Sequence, residues 1–327
     1  MVDKKNHNNF DDEKELDELF EEVKSTKLLK AVKKAKMFSI MKIVFISFFT
    51  FIILISGFIS ISGKINNKRW NDHMDKLRNK YTVQDPNKFY GMSYTYKSLF
   101  GGKIDYKTFK YLNGIRINTG NHSTEYNLFG ERNRIGGESF ETQMNWEELN
   151  FLPRYNDIGQ KLMVFYYPYV DYGDRYENDL SLLDDIGNNK YMEIAISFDK
   201  AYSIDEVNKM IPKSINLTWY WVDVEQENGS MVQQNPDLCY ENDAYGFKTI
   251  NKHGERIENP EEKFINALKE GRIKQIYDTI AGEDKKLTKD DIKVQGIVVT
   301  GDAENLKLLR NMPFIKASSL GVTIDKY

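Results

Sequence analysis

The sequence predicts a membrane-anchored α+β protein: a short N-terminal amphipathic helix on the cytoplasmic side, one transmembrane helix, and an extracellular domain containing βαβ units. Three observations predict it. Residues 43–63 (IVFISFFTFIILISGFISISG) carry no charge. Just upstream, apolar side chains recur at helical spacing within an acidic stretch. Two strand–helix–strand patterns, beginning near Met192 and Ile292, close the chain.

As a helix, the uncharged run reaches roughly 31 Å at 1.5 Å per residue, the thickness of a bilayer's hydrocarbon core. Its hydroxyl residues Ser47, Thr50, Ser56, Ser60 and Ser62 can donate to helical carbonyls, which keeps their cost in lipid small. A buried core helix would show a polar face, and a cleaved signal peptide would not follow so long a charged segment. Lys33, Lys34, Lys36 and Lys42 flank the membrane, where a lysine near anionic headgroups contributes about 1 kcal/mol. Within twenty residues of the run, seven Lys and Arg precede it and six follow, a slight lean towards an N-terminus inside.

Residues 1–23 carry a net charge of −6, and residues 24–42 carry +7. Leu16, Leu19, Phe20 and Val23 stand at i, i+3, i+4 and i+7, one face of a helix. Together with Phe10 and the acids Glu21 and Glu22 they are the candidate partner-binding residues. A helix this short is marginal alone and is expected to fold on binding.

After the run, residues 64–84 read as a helix with an approximate stripe of Ile65, Trp70, Met74, Leu77 and Tyr81, a rigid stalk or, alternatively, a homodimer seam. Residues 88–170 read as short strands and turns, including 107–112 and 161–170. Met192, Ile194, Ile196 and Phe198 alternate with Glu193, Ala195 and Ser197, a strand pattern. Ser203 and Glu206 form a capping box for a helix to about Ile211, and 215–224 is a strand. Pro260 opens a further helix. Strands at 292–300 and 314–324 flank a helix capped by Asp302, and the crossover rule makes them parallel neighbours. The two units lie about 101 residues apart with Pro212 and Pro313 in matching places, which suggests an internal duplication. The expected domains are 1–42, 43–63, 64–155 (stalk and strand-rich region) and 156–327.

Chemistry is harder to find. Cys239 is the single cysteine, expected as a small buried residue; a disulfide within the chain and a thiolate metal cluster are excluded. His7, His73, His122 and His253 lack metal-ligand spacing and read as surface residues. Ser39 and Lys42 match S-x-x-K only formally, and the acids at 171, 174, 184 and 185 lack EF-hand spacing. No catalytic constellation, metal or cofactor is expected, and the net charge of −3 argues against direct nucleic-acid binding.

The tail GIVVTGDAENLKLLRNMPFIKASSLGVTIDKY, 296–327, resembles the C-terminal domain of bacterial sigma factor regulators. The N-terminal order is similar to that family's too: an acidic helix (FDDEKELDELFEEVKSTKLLK), a lysine run, then one span. The resemblance covers roughly 8–100 and 170–327. It implies a membrane-bound anti-sigma factor of Gram-positive type. Its cytoplasmic segment would bind an extracytoplasmic-function sigma factor, and its outer domain would respond to envelope conditions. The competing reading is a membrane-anchored extracellular binding or adhesion module. The sequence leaves the outer ligand unknown.

Overall fold

The computed structural model describes residues 8–136, 155–156, 158–224, 238–270, 273–282 and 285–326; in the helix and strands at 8–17, 19, 131–136 and 270 the description is of the backbone alone. The chain divides into two compact units, Met1–Lys64 and Ile65–Tyr327.

Most of the first unit belongs to helix α1, Asn8–Val83, which also supplies the first residues of the second. The segments expected as separate helices before and after the apolar run thus belong to one hydrogen-bonded element. Nothing in 24–83 breaks it, because no proline intervenes and the lysine run has good helix propensity. α1 is the one described helix long and apolar enough to cross a membrane, and its apolar window is entirely exposed. Ile46, Phe49 and Ile53 are all exposed. Thr50 donates to the carbonyl of Ile46 at 2.8 Å, the local bond that hides its hydroxyl.

In the second unit, the end of α1 lies beside an antiparallel meander: β1 (Lys88–Lys97), β2 (Gly101–Leu112), β3 (Ile115–Asn127) and β4 (Glu131–Gly136). Asn113 and Gly114 both have positive φ between β2 and β3, the two-residue turn whose twist matches a hairpin. The stalk is therefore packed rather than free. Asn66, His73, Leu77, Tyr81 and Val83 are its buried positions, and the Tyr81 ring lies 5.3 Å from Tyr90. Ile65, expected in the stripe, is 36 % exposed.

A short pair, β5 (Val164–Phe165) with β8 (Cys239–Tyr240), lies beside the main sheet. That sheet runs β11-β6-β10-β7-β9, from β6 (Lys190–Ser203), β7 (Asn216–Val222), β9 (Gly246–Lys248), β10 (Lys293–Asp302) and β11 (Ile315–Asp325). Every bonded pair in it is antiparallel. The expectation of β10 and β11 as parallel neighbours is thus corrected: they run parallel, but β6 lies between them. In the same way β10 lies between β6 and β7. Each strand–helix–strand passage skips one strand, and the other unit fills the gap, as in a split β-α-β-β-α-β arrangement.

Short helices cover one face: α2 (Leu183–Ile186), α3 (Ile204–Met210), α4 (Pro260–Glu270), α5 (Lys274–Ala281) and α6 (Ala303–Leu306). The Ser203–Glu206 capping box forms as expected, and Asp302 accepts from the amide of Asn305 at 3.0 Å. Ile194, Ile196, Ile297 and Val299 pack on this side with Val207, Phe264 and Leu306. The opposite face is buried as well, around Ala195, Trp219, Trp221 and Val298, with Cys239 among them. Both sets of the β6 alternation are therefore interior, with Glu193, Ala195 and Ser197 at 0 to 1 % exposure. The histidine expectation is corrected too: His73 and His122 are buried, the latter stacked on Tyr106 with ring centroids 4.7 Å apart.

Candidate functional site

In the first unit, Phe10, Leu16 and Leu19 lie on helical backbone, their side chains outside the described residues. Phe20 and Val23 are 60 % and 43 % exposed, and Glu21 and Glu22 are exposed beside them. Lys33, Lys34, Lys36 and Lys42 are likewise exposed. At about 100° per residue, positions 16, 19, 20 and 23 share an arc roughly 100° wide, bordered by acids. An exposed phenylalanine on a charged helix is a surface suited to an apolar groove with a basic rim.

The second unit contains a constellation that sequence reasoning missed. The ammonium of Lys110, on β2, lies 2.8 Å from Glu193 Oε2 and 3.0 Å from Glu241 Oε2, and all three residues are at most 1 % exposed. Lys88, on β1, adds a contact of 3.6 Å to Glu241 and one of 3.3 Å to Asp85, and Lys80 reaches Asp85 at 3.4 Å. Asn87 donates to the second oxygen of Glu193 at 2.9 Å and to the carbonyl of Tyr111 at 2.8 Å. The Met163 amide donates to Glu241 at 3.1 Å. Asp85 and Asn87 reach these positions with φ of 54° and 52°, left-handed values that these two residue types tolerate best. Lys248, on β9, donates to the carbonyls of Tyr81 at 2.5 Å and Gln84 at 3.3 Å, so a buried amine caps the C-terminal end of α1.

The titrations follow from this packing. Burial pulls Lys110 down, but Glu193 and Glu241 outweigh it and hold the amine above its ordinary value. Burial pushes Glu193 up, against Lys110 and with the like charge of Glu241. Burial also pushes Asp85 up, and Lys88, Lys80 and Lys248 together bring it below the usual carboxylate value. Lys248 has only Asp85 in its favour, and burial pushes it down to about 7. The arrangement is a clasp of four lysines and three acids. It holds protons tightly on Lys110 and loosely on Lys248.

Two family models match this chain: sigma factor regulator N-terminal, over residues 29–117, and sigma factor regulator C-terminal, over residues 183–322. The chain belongs to the sigma factor regulator family. No curated protein and no solved structure matches it. The family is regulatory, and its domains support an anti-sigma function with a sigma factor as partner. The clasp joins the two matched regions. Lys80, Asp85, Asn87, Lys88 and Lys110 come from the N-terminal one, and Glu193, Glu241 and Lys248 come from the C-terminal one. The acidic residues 10–24 lie ahead of the N-terminal match, so the model gives them no support of its own. Glu193 carried one sequence signal: an acid between the large apolar residues Met192 and Ile194 in a strand pattern.

Proposed function

We propose that this sigma factor regulator holds an extracytoplasmic-function sigma factor inactive at the membrane and releases it on an envelope signal. The observation that supports this reading best is the pair of family matches, one of which contains the apolar run while the other follows it. In this reading residues 1–42 are cytoplasmic, 43–63 span, 64–155 form the juxtamembrane region and 156–327 the outer regulator domain. The sigma factor binds the face formed by Leu16, Leu19, Phe20 and Val23, with Phe10 at its start, and Glu21 and Glu22 steer its basic surface into place. The clasp passes the outer signal on, because it ties the regulator domain to the end of α1.

Burying one leucine or phenylalanine in such a groove contributes roughly 1.5–3 kcal/mol. Replacing Leu19 and Phe20 together by Asp removes two anchors and buries charge, so binding falls by orders of magnitude. Promoters of the sigma factor rise without stress in that variant. Glu21→Gln with Glu22→Gln instead lowers the association rate and its salt dependence. Normal repression by the Leu19/Phe20 variant at wild-type abundance would remove this helix from the mechanism. A reporter active only outside the cytoplasm, fused after Tyr327, tests the orientation and should give signal.

A further inference from the structure

The meander has two tips at one end, and they share a sequence. Ser98-Leu99-Phe100-Gly101 joins β1 to β2, and Asn127-Leu128-Phe129-Gly130 joins β3 to β4. They share a construction too. The Ser98 hydroxyl accepts the amides of Phe100 and Gly101 at 3.3 and 3.2 Å, and the Asn127 side chain accepts those of Phe129 and Gly130 at 2.8 and 2.9 Å. Each turn is closed by a backbone bond, Ser98 to Gly101 at 2.7 Å and Asn127 to Gly130 at 2.8 Å. From α1, Asn66 donates to the carbonyls of Ser98 and Leu99 at 3.0 and 2.8 Å, and Arg69 donates to that of Leu128 at 3.3 Å. The tips thus have most of their backbone polar groups satisfied from within the protein. What they turn outward is apolar: Phe100 is 62 % exposed and Phe129 is 95 % exposed.

The occupant follows from chain length. Asn66 is three residues beyond Gly63, the last residue of the apolar run, so even a fully extended chain keeps the two within roughly 11 Å. Arg69 is six residues beyond Gly63, so the chain itself keeps the two within roughly 21 Å. The headgroup layer on each side of a bilayer is itself roughly 5–8 Å deep. Both tips are tied to these two residues. Segments placed at the lipid–water boundary, with a satisfied backbone and phenylalanines outward, meet the condition for entering it. Lys64 and Lys68 lie exposed in the same stretch, where anionic headgroups would attract them.

We propose that the two Leu-Phe-Gly tips dip into the outer surface of the bilayer that holds the span, so that the regulator unit rests on the membrane at three points. The proposal relies on 43–63 spanning. Phe100 and Phe129 are the inserting residues, and Asn66 and Arg69 position the tips that carry them.

The test uses the full chain, reconstituted in vesicles of phosphatidylcholine and phosphatidylglycerol, with Phe129→Cys, Phe100→Cys or Lys252→Cys carrying a nitroxide. Cys239 is buried, so the unsubstituted chain reports background labelling. Lys252 is exposed and lies by Tyr111, near the far end of β2. Co-flotation with the vesicles checks the span independently, since loss of the span removes all variants from the lipid fraction. Relaxation by lipid-soluble oxygen relative to a water-soluble nickel chelate should be several-fold higher at 100 and 129 than at 252. Equal ratios at all three positions in floated protein would overturn the proposal. So would a label that is aqueous in vesicles yet shielded in cells, because it would assign the tips to a protein partner. Phe129 is nearly fully exposed, so its replacement leaves the fold intact, and a near-ultraviolet dichroism spectrum like the parent's verifies this for each variant.

Discussion

Lys110→Met separates the clasp from ordinary packing. The substitution keeps the side chain's length and apolar stem but removes the cation between Glu193 and Glu241. Two carboxylates then face each other in a site where both are at most 1 % exposed. Removing one partner of a buried ion pair costs about 3–5 kcal/mol, chiefly because a charge is left uncompensated. A unit of this size shifts its melting temperature by about 2–4 °C per kcal/mol, so the expected loss is roughly 6–20 °C. The assay is thermal unfolding of the full chain in detergent, followed by the fluorescence of Trp219 and Trp221, which are buried in the main sheet. The variant carries its own pH signature. With the cation gone, burial raises the Glu193 carboxyl further, so the folded state binds a proton that the unfolded state releases. Its stability deficit should therefore grow as pH rises from 5 to 8. Adding Glu193→Gln and Glu241→Gln to Lys110→Met removes the orphaned charges and should recover most of the loss. A Lys110→Met chain that melts within 2 °C of the parent at pH 8 would refute the clasp as an energetic junction.

Lys248→Met tests the amine at the end of α1. Its folded value of about 7 lies below the unfolded value of 10.5, so the unfolded state binds more protons between the two and stability rises with pH across that window. The contribution amounts to at most about 1.4 kcal/mol per pH unit, and urea midpoints of the parent should rise from pH 7 to 9 more than those of the variant. Gly246→Ala should be among the most damaging single-methyl changes, because a Cβ there would come within 1.9 Å of the Tyr220 carbonyl and 2.5 Å of the Trp219 ring; a soluble yield like the parent's would contradict the packing. Asp302→Ala removes both the cap of α6 and the 2.7 Å pair with Lys326, at a cost of about 1–2 kcal/mol in the same urea assay.

Much of the fold was legible because its signals are local. Charge-free length marks the long apolar helix, period-two alternation marks β6, β-branched and aromatic residues mark β7, and Ser203, Pro260 and Asp302 mark helix starts. Strand order was not legible, since pairing depends on contacts between β6 and β10 about a hundred residues apart. The same holds for the clasp. Lys110 meets Glu193 across 83 positions and Glu241 across 131, and Lys248 reaches Tyr81 across 167. Each looks like an ordinary surface charge until the sheet faces are known. The burial of Glu193 was not legible because alternation assigns only relative faces, and a sheet covered on both sides has no outward one. The buried histidines were misjudged for the same reason, as polarity alone does not say whether Thr108 and Tyr106 stand ready to receive His122.

The chemistry of the junction bears on what a regulator needs. An apolar seam between the end of α1 and the main sheet would tolerate sliding, because dispersion contacts re-form in many registers. A clasp of alternating charges does not, because any displacement leaves a buried ion without its partner. Such a junction contributes little net stability against a well-packed apolar replacement, yet it is costly to leave half-made. Its states are therefore closed or fully parted, with few between. Lys248 adds a bias to that choice: its ammonium favours the carbonyls at the end of α1, but burial makes the charge expensive near neutral pH. A perturbation that altered the Glu241 segment or β9 by a small amount would thus act on a junction that is costly to leave half-made. The differential interaction it must supply is the cost of parting Lys110 from its two acids. That cost is the quantity measured by the Lys110 variant and its triple-substituted relative.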